Sequence, residues 1–236
     1  MTNRFSTIAL LGVVIGSLAS IAWGQESVQS PKKLAVAAGQ EKIIDRFAGS
    51  LNERWQWLRE NKAGWRISES GLEVLIEPGN MWGASNDAKN ILVQPLPDGW
   101  KDAVEVSVEL SHHPKKRWEQ ANLVWYYSDS AMVKLGLEIE HGITNIVMGR
   151  EEGDKTRTVV IIPYADPVVQ LRLTVVGQEI RGYFRPLGTT DWTEAGVSTL
   201  PETSSALPPQ VSLQFYQGEA GSNRWATVKW LEIKKL

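Results

Sequence analysis

Short runs of alternating apolar and polar residues, separated by turn residues, fill the chain from residue 43 onward. In residues 103–110 (AVEVSVEL) every second residue is Val or Leu, and Ala, Glu or Ser stands at the positions between. The runs at 132–140, 169–175 and 211–217 alternate in the same way. Because successive side chains of a strand point to opposite faces, each run has a core side and a polar side. Runs of this length and spacing, without long amphipathic helices, predict an all-β sandwich of two antiparallel sheets.

The N-terminal 24 residues have the features of an export signal. They combine Arg4, an apolar stretch at 8–21, and the small residues Ala22 and Gly24 at positions −3 and −1 from a cleavage point. This arrangement predicts a secretory signal peptide at residues 1–24. The alternative is a membrane anchor, but an anchor needs about 20 strongly apolar residues and this stretch is shorter.

Residues 25–42 are small and polar without a sustained period, which predicts a flexible tether. We expect residues 43–236 to form one domain, since sandwiches of this length are common as single units. The chain has no cysteine, so it has neither a lipoprotein attachment site nor a disulfide. Together with the signal peptide, this indicates a periplasmic or secreted protein.

The balance of charges restricts the classes of partner that the chain can bind. It carries 25 basic and 27 acidic residues, and the basic ones form no stripe. A nucleic-acid partner, or a membrane partner after signal cleavage, is therefore not expected. No nucleophile motif and no spacing of metal ligands is present, so we predict no catalytic metal and no cofactor.

Tryptophan is unusually abundant, with 11 residues, ten of them after Gly24. Its large flat ring with one donor suits either a thick core or a surface on which sugar rings stack. Trp65 and Trp230 lie in strand-like runs and are predicted to be in the core. Trp82 and Trp118 stand in loops without alternating apolar neighbours, so they are the best candidates for a stacking platform. Either ring could instead fold back onto the edge of the sandwich.

The polar sides of the strands supply candidates for hydrogen bonds with sugar hydroxyls, and we expect them to form a broad wet face. The predicted ligand-binding residues are Trp57, Trp82, Trp118, Lys134, Glu138, Arg172, Gln214 and Tyr216. Lys134 and Glu138 have an equally good structural interpretation. Because they are four residues apart on one strand, they are expected to be too far apart to pair, and each would meet a neighbour on an adjacent strand.

A catalytic interpretation rests on Glu138 and Glu140. Two residues apart on one strand face, they lie roughly 6.6 Å apart along the backbone. Glycosidase carboxylates are about 5–5.5 Å apart for retention and about 6.5–9.5 Å apart for inversion. Any Glu-x-Glu in a strand meets this spacing, so solvated carboxylates are the competing interpretation. The Glu-x-Asp-x-x-Glu pattern of family 16 glucanases is absent, since Ser107 stands where the Asp belongs.

Residues 121–148 (ANLVWYYSDSAMVKLGLEIEHGITNIVM) resemble the DUF1349 family of concanavalin A-like sandwiches. The matching positions are Leu123, Asp129, Lys134, Gly136, Glu138 and Gly142. The upstream segment, including AKNILVQ at 88–94, also resembles the sandwich domain at the C-terminus of family 43 xylosidases. Both resemblances extend over about 190 residues, from Asp45 to the end. The chain departs from the DUF1349 pattern at 185–192, where RPLGTTDW replaces Ser-x-Asp-Gly before the tryptophan.

These resemblances imply a concanavalin A-like jelly-roll sandwich, an oligo- or polysaccharide partner, and room for a structural calcium ion. They do not settle a reaction, because one fold hosts many functions. The leading hypothesis is a noncatalytic carbohydrate-binding protein. The alternatives are a glycan-active hydrolase or lyase and an interaction protein of the cell envelope.

Overall fold

The computed structural model describes residues 41–203 and 207–236. The predicted signal peptide lies outside these residues, as does the tether except for its last two positions. The described chain forms 15 strands and one 3₁₀ turn at Lys62–Gly64. The strands are β1 Lys42–Asp45, β2 Gln56–Leu58, β3 Trp65–Ser68, β4 Gly71–Leu75, β5 Ile91–Pro95, β6 Ala103–Ser111, β7 Gln120–Ser128, β8 Ala131–Glu140, β9 Ile143–Glu152, β10 Lys155–Pro163, β11 Val168–Val176, β12 Glu179–Pro186, β13 Thr193–Thr199, β14 Gln210–Tyr216 and β15 Trp225–Lys235.

The strands form two antiparallel sheets. The seven-stranded sheet has the order β10-β9-β8-β7-β14-β5-β2, and the eight-stranded sheet has the order β13-β12-β11-β6-β15-β4-β3, with β1 beside β15. Strands β7 to β10 follow one another as neighbours, whereas β14 inserts between β7 and β5 from far along the chain. The predicted all-β jelly-roll sandwich of two antiparallel sheets is confirmed. In the described residues, no helix is long and apolar enough to span a membrane.

The core lies between the two sheets and uses the apolar side of each alternating run. Val106 and Val108 of β6 and Leu135 and Leu137 of β8 are almost completely buried there. Burying such a side chain contributes about 1.5–3 kcal/mol relative to leaving it exposed. The apolar side of each strand is therefore fixed, and the side chains between them must point away from the core.

The outer face of the seven-stranded sheet is only partly open to solvent. A second apolar cluster lies on part of it, made by Met81, Ala88, Ile91, Val93, Val124, Tyr126, Met132 and Tyr216. Met81 and Ala88 belong to the segment 76–90, which lies over the sheet. The expected broad wet face is thus reduced to the part that this segment leaves uncovered.

The outer face of the eight-stranded sheet carries two residues that the sequence placed elsewhere. Arg172 of β11 lies there, with its guanidinium 3.0 Å from Glu105 and 4.0 Å from the ring of Trp192. Trp230 also lies there, because a bulge in β15 after Val228 shifts the register, and its indole N–H donates to Glu109. The prediction that Trp230 is in the core is wrong.

Candidate functional site

A cavity of about 290 Å³ opens on the uncovered part of the seven-stranded sheet. Its lining combines strand residues with three loop segments: Asn80, Trp82, Trp118, Gln120, Lys134, Glu138, Glu140, Val147, Thr158, Ile161 and Gln217. Trp82, Trp118, Lys134 and Glu138 were predicted to bind ligand, and Glu140 was the predicted catalytic partner of Glu138. The structure brings all five to one place, which we call the pocket.

The floor of the pocket is a buried ion pair. The Lys134 ammonium donates to Glu138 Oε2 at 2.8 Å and to Gln120 Oε1 at 2.6 Å. Lys134 is 2% exposed and Glu138 is 5% exposed. The expectation that these two residues are too far apart to pair is wrong. The long lysine side chain reaches along the strand past Gly136, which places no side chain between them.

Gln120 and Asn122 of β7 complete this network. Gln120 lies directly opposite Glu138 in the strand register, and its Oε1 also accepts from Asn122 Nδ2 at 3.2 Å. The Asn122 amide occupies the space above Gly136, where a Cβ would lie 2.3 Å from Asn122 Oδ1. A low-dielectric site strengthens these charge-assisted bonds, so the floor is fixed in one arrangement.

Trp82 forms one end of the pocket. Lys134 Nζ lies 4.5 Å from the centre of its ring, and 5.9 Å from the ring of Tyr216. The loop is held by Asn80, whose Oδ1 accepts from the backbone N–H groups of Met81 and Trp82. The ring is therefore placed by hydrogen bonds at its base and by a cation–π contact at its face.

Glu151 anchors the same loop from below. Its Oε2 accepts from the Gly83 N–H at 3.1 Å, and its other oxygen has no partner among the described residues. Burial raises the pKa of Glu151 from 4.5 to about 7, and the hydrogen bond from Gly83 acts in the opposite direction. Glu151 does not line the pocket, so we treat it as a support of Trp82.

Trp118 forms the other end of the pocket and is 44% exposed. It sits in the left-handed region, at φ 68°, and its N–H donates to the Ile139 carbonyl of β8 at 3.0 Å. Its carbonyl accepts from Gln120 Nε2, while Arg117 lies 4.4 Å from its ring. The exposed indole is thus held by its backbone at the end of the pocket.

A buried acid fixes the loop that carries Trp118. Glu119 is fully buried and accepts from the backbone N–H groups of Lys115 and Lys116 and from Arg224 Nε. His112 Nε2 lies 3.6 Å from Glu119, whose charge is already matched by Arg224. Burial, and then the charge of Arg224, lower the pKa of His112 to about 3, so this imidazole is neutral.

The remaining predicted site residues lie elsewhere. Trp57 packs toward the core, 5.1 Å from the ring of Trp65, and Arg172 belongs to the other sheet. Gln214 and Tyr216 lie on the outer face of the seven-stranded sheet, which is the face that carries the pocket. They are fully buried, however, and do not line the pocket. Only a ligand-induced movement would bring them into contact with a sugar.

The pocket also contains residues that the sequence did not single out. Gln120 follows the alternation of β7, so its position on the polar side was readable from the pattern. Asn80 and Gln217 stand in loops, where no local period indicates which way a side chain points.

In the part of the chain that the structure describes, no three His, Asp or Glu side chains are arranged to hold a metal ion. The calcium ion that the resemblance allows remains an expectation.

Flat aromatic walls with carboxylate, ammonium and amide groups between them suit the apolar faces and hydroxyl edges of sugars. Tryptophan stacks on the apolar faces, and the polar groups of the floor match hydroxyls. The lining therefore offers a ligand both stacking surfaces and hydrogen-bonding groups.

The fold has close structural relatives among family 43 glycoside hydrolases. The GH43 protein BlXynB from Bacillus licheniformis superposes with a TM-score of 0.72 at 19% identity, over 82% of this chain and 39% of that one. A xylan beta-1,4-xylosidase from Bacillus halodurans gives a TM-score of 0.71 at 17% identity, over 87% of this chain and 41% of that one. The chain therefore spans about two fifths of the length of these enzymes.

A functionally unknown protein from Saccharomyces cerevisiae matches over most of its own length. Its TM-score is 0.56 at 14% identity, over 77% of this chain and 93% of that one. At these identities the structural likeness shows the fold alone. No curated protein is significantly similar to the chain in sequence.

Sequence similarity shows the family as well as the fold. Residues 44–234 match the beta xylosidase C-terminal concanavalin A-like domain, which is the second of the two families that the sequence resembles. The resemblance to DUF1349 remains a prediction. Because the match covers most of the chain, this protein belongs to the beta xylosidase C-terminal concanavalin A-like domain family.

Proposed function

We propose that this protein is a noncatalytic carbohydrate-binding domain and that the pocket is its binding site. One observation carries the proposal: Trp82 and Trp118 flank a floor of buried polar groups, Lys134, Glu138 and Gln120, in one cavity. Aromatic stacking would supply most of the affinity. Hydrogen bonds to hydroxyls exchange water for protein with little net gain, and they would mainly supply selectivity.

The family supports a glycan as ligand, since its structural relatives are named as xylosidases and other family 43 enzymes. Those enzymes are more than twice as long as the matched region, so their activity is not carried over to this chain. We also propose that the protein acts outside the cytoplasm, which rests on the sequence of residues 1–24.

The catalytic alternative uses Glu138 and Glu140. Both line the pocket, but Glu138 is bound to the Lys134 ammonium on the floor. That contact engages the carboxylate that would have to act on the substrate. Binding without turnover is therefore the better-supported function.

The test is a binding titration of the domain against a panel of oligosaccharides and polysaccharides, beginning with xylan fragments. Trp118→Ala should lower the affinity at least tenfold, because it removes the exposed stacking surface. Trp192→Ala is the matched control, since Trp192 is a partly exposed tryptophan that packs against Arg172 on the outer face of the other sheet.

Two results would change the conclusion. Binding to no glycan of the panel would remove the proposal. Release of products from a glycan by wild type but not by Glu138→Gln would replace it with the catalytic alternative.

A further inference from the structure

We propose that Arg117 makes the pocket selective for glycans that carry an acidic group, a uronic acid or a sulfate ester, and that this group binds at the Trp118 end of the pocket. The inference rests on the proposed function and specifies the class of its ligand. It is carried by the guanidinium of Arg117, which lies on an aromatic side chain of the pocket and has no acidic partner there.

Arg117 and Trp118 are the two central residues of a tight turn. The Glu119 N–H donates to the Lys116 carbonyl at 3.0 Å, which closes the turn over four residues. Trp118 takes the third position with φ 68°, where glycine is the usual residue because the left-handed region strains larger ones. The turn thus holds a large indole, 44% exposed, at a strained position. Strained positions of this kind cluster at ligand sites.

The backbone of this turn is fixed from inside the protein. Glu119 is fully buried and accepts from the Lys115 N–H at 3.3 Å and from the Lys116 N–H at 3.1 Å. The Trp118 N–H donates to the Ile139 carbonyl of β8. All these bonds use backbone donors of the turn, so its basic side chains can be replaced without removing them.

The Arg117 guanidinium lies over the Trp118 indole, 4.4 Å from the centre of the ring. A guanidinium that stacks through its face keeps its N–H donors at its edge, in the fork geometry that matches a carboxylate or a sulfate. Among the residues that the structure describes, this fork has neither a hydrogen-bond acceptor nor an acidic partner. It is therefore available to an anionic group of a ligand that contacts Trp118.

A second cation lies beside the pocket. The Lys116 ammonium donates to the Gly218 carbonyl at 3.3 Å, and the preceding residue, Gln217, lines the pocket. Within the described ranges, this ammonium also has no acidic partner. Its charge adds to the attraction of an anionic ligand toward this side.

The acids near the pocket do not face Arg117 as partners. Glu138 and Glu140 both belong to β8 and line the pocket from the strand side. Glu119 is buried beneath the turn and is bound to Arg224. Because like charges repel, an acidic group of the ligand is expected at the rim beside Arg117 and not above the strand carboxylates.

Lys115 provides a matched control for the charge of the loop. It is exposed, and it lines a different cavity together with His113 and Pro114. Replacing Lys115 by Gln removes one positive charge from the same loop, as replacing Arg117 does, but at a position outside the lining of the pocket.

The experiment compares one oligosaccharide in three forms: neutral, with one uronic acid substituent, and with one sulfate ester. Xylan fragments are the first choice of backbone. Binding is measured by calorimetry at low ionic strength with wild type, Arg117→Gln, Arg117→Lys and Lys115→Gln. The form that binds more tightly tells a carboxylate ligand from a sulfate ligand.

Wild type and Lys115→Gln should bind at least one acidic form about three- to fivefold more tightly than the neutral form, which is the effect of one exposed ion pair. Arg117→Gln should lose this preference and keep its affinity for the neutral form. Arg117→Lys should retain part of it, because an ammonium keeps the charge but lacks the fork. Added salt should reduce the preference in wild type, because it screens the attraction.

Equal affinity of wild type for the three forms, or an unchanged preference in Arg117→Gln, would overturn the role of Arg117 and leave the proposed function intact. An equal loss of preference in Lys115→Gln would overturn it too, since the effect would then belong to the charge of the loop as a whole. The absence of binding to every form, the neutral one included, would instead contradict the proposed function itself.

Discussion

Trp82 lies against strand β9 at Gly149, where a Cβ atom would stand only 2.5 Å from Cη2 of the indole and 3.3 Å from Cε of Lys134. The φ angle of Gly149 is not in the left-handed region, so the glycine is needed for space and not for backbone conformation. Gly149 is also the register partner of Lys134. One missing side chain on β9 thus allows the indole to meet the ammonium of the neighbouring strand.

We expect Gly149→Ala to displace Trp82 and to weaken glycan binding at least tenfold. The added methyl group overpacks this position, which costs about 1–3 kcal/mol of unfolding free energy. Chemical denaturation and a binding titration on the same sample measure the two effects. Gly196→Ala is the control, because a Cβ there meets only side-chain ends, the nearest being Val159 Cγ1 at 3.2 Å, in a strand away from the pocket. Unchanged glycan affinity in Gly149→Ala would show that Trp82 does not form the binding surface.

The ion pair of Lys134 and Glu138 should behave as a unit. Removing one partner leaves an uncompensated buried charge, so Lys134→Met and Glu138→Leu should each cost about 3–5 kcal/mol of unfolding free energy. The double variant should cost clearly less than the sum of the two, because no charge is left unpaired. Urea denaturation of the four proteins gives the coupling energy. Additive effects would mean that the two groups do not depend on each other.

The anchor residue Glu151 should make the domain less stable at high pH. Its folded-state pKa is raised from 4.5 to about 7, so the folded protein binds more protons than the unfolded chain between these values. Its contribution is complete below about pH 4.5 and is lost as pH rises to about 7, at up to about 1.4 kcal/mol per pH unit. Glu151→Gln lacks this loss and should therefore gain stability relative to wild type from pH 5 to pH 8. A stability difference that does not depend on pH would contradict the raised pKa.

His112 should have the opposite pH dependence. Its folded-state pKa is lowered from 6.5 to about 3, so the unfolded chain binds the extra proton in this range. The contribution is complete above about pH 6.5 and is lost as pH falls toward 3, at up to about 1.4 kcal/mol per pH unit. The unfolding free energy of wild type minus that of His112→Gln should therefore decrease as the pH is lowered from about 6.5 toward 3. His141→Gln is the control, because it replaces a histidine by glutamine at an exposed position.

Much of the fold could be predicted from alternation alone. The apolar positions of β6, β8 and β14 point into the core as the pattern indicates. Trp230 shows where this reasoning fails: a bulge after Val228 adds one residue to β15 and turns the side chain outward. Nothing in the local sequence marks the bulge, because it arises from pairing with β6.

The candidate site divides in the same way. Trp82 and Trp118 could be identified because they lie in loops without alternating apolar neighbours. Lys134 and Glu138 could be identified because they stand on the polar side of a strand. The contact between Lys134 and Glu138 was missed because strand spacing describes Cα atoms, whereas a lysine side chain spans several residues. Arg172 has the same alternating context as Lys134, and only the sheet order separates them.

By itself, the sequence determined the class of fold, the two sides of each strand and the residue types available for binding sugars. These are local properties, since each follows from the period-two geometry of a strand and the chemistry of its side chains. Only the tertiary structure decided which strands share a sheet, which part of the outer face is covered by the segment 76–90, and which of the polar residues meet in the pocket. These properties depend on contacts between residues far apart in the chain, such as β14 beside β5 and Glu119 beside Arg224, and no local pattern encodes such contacts.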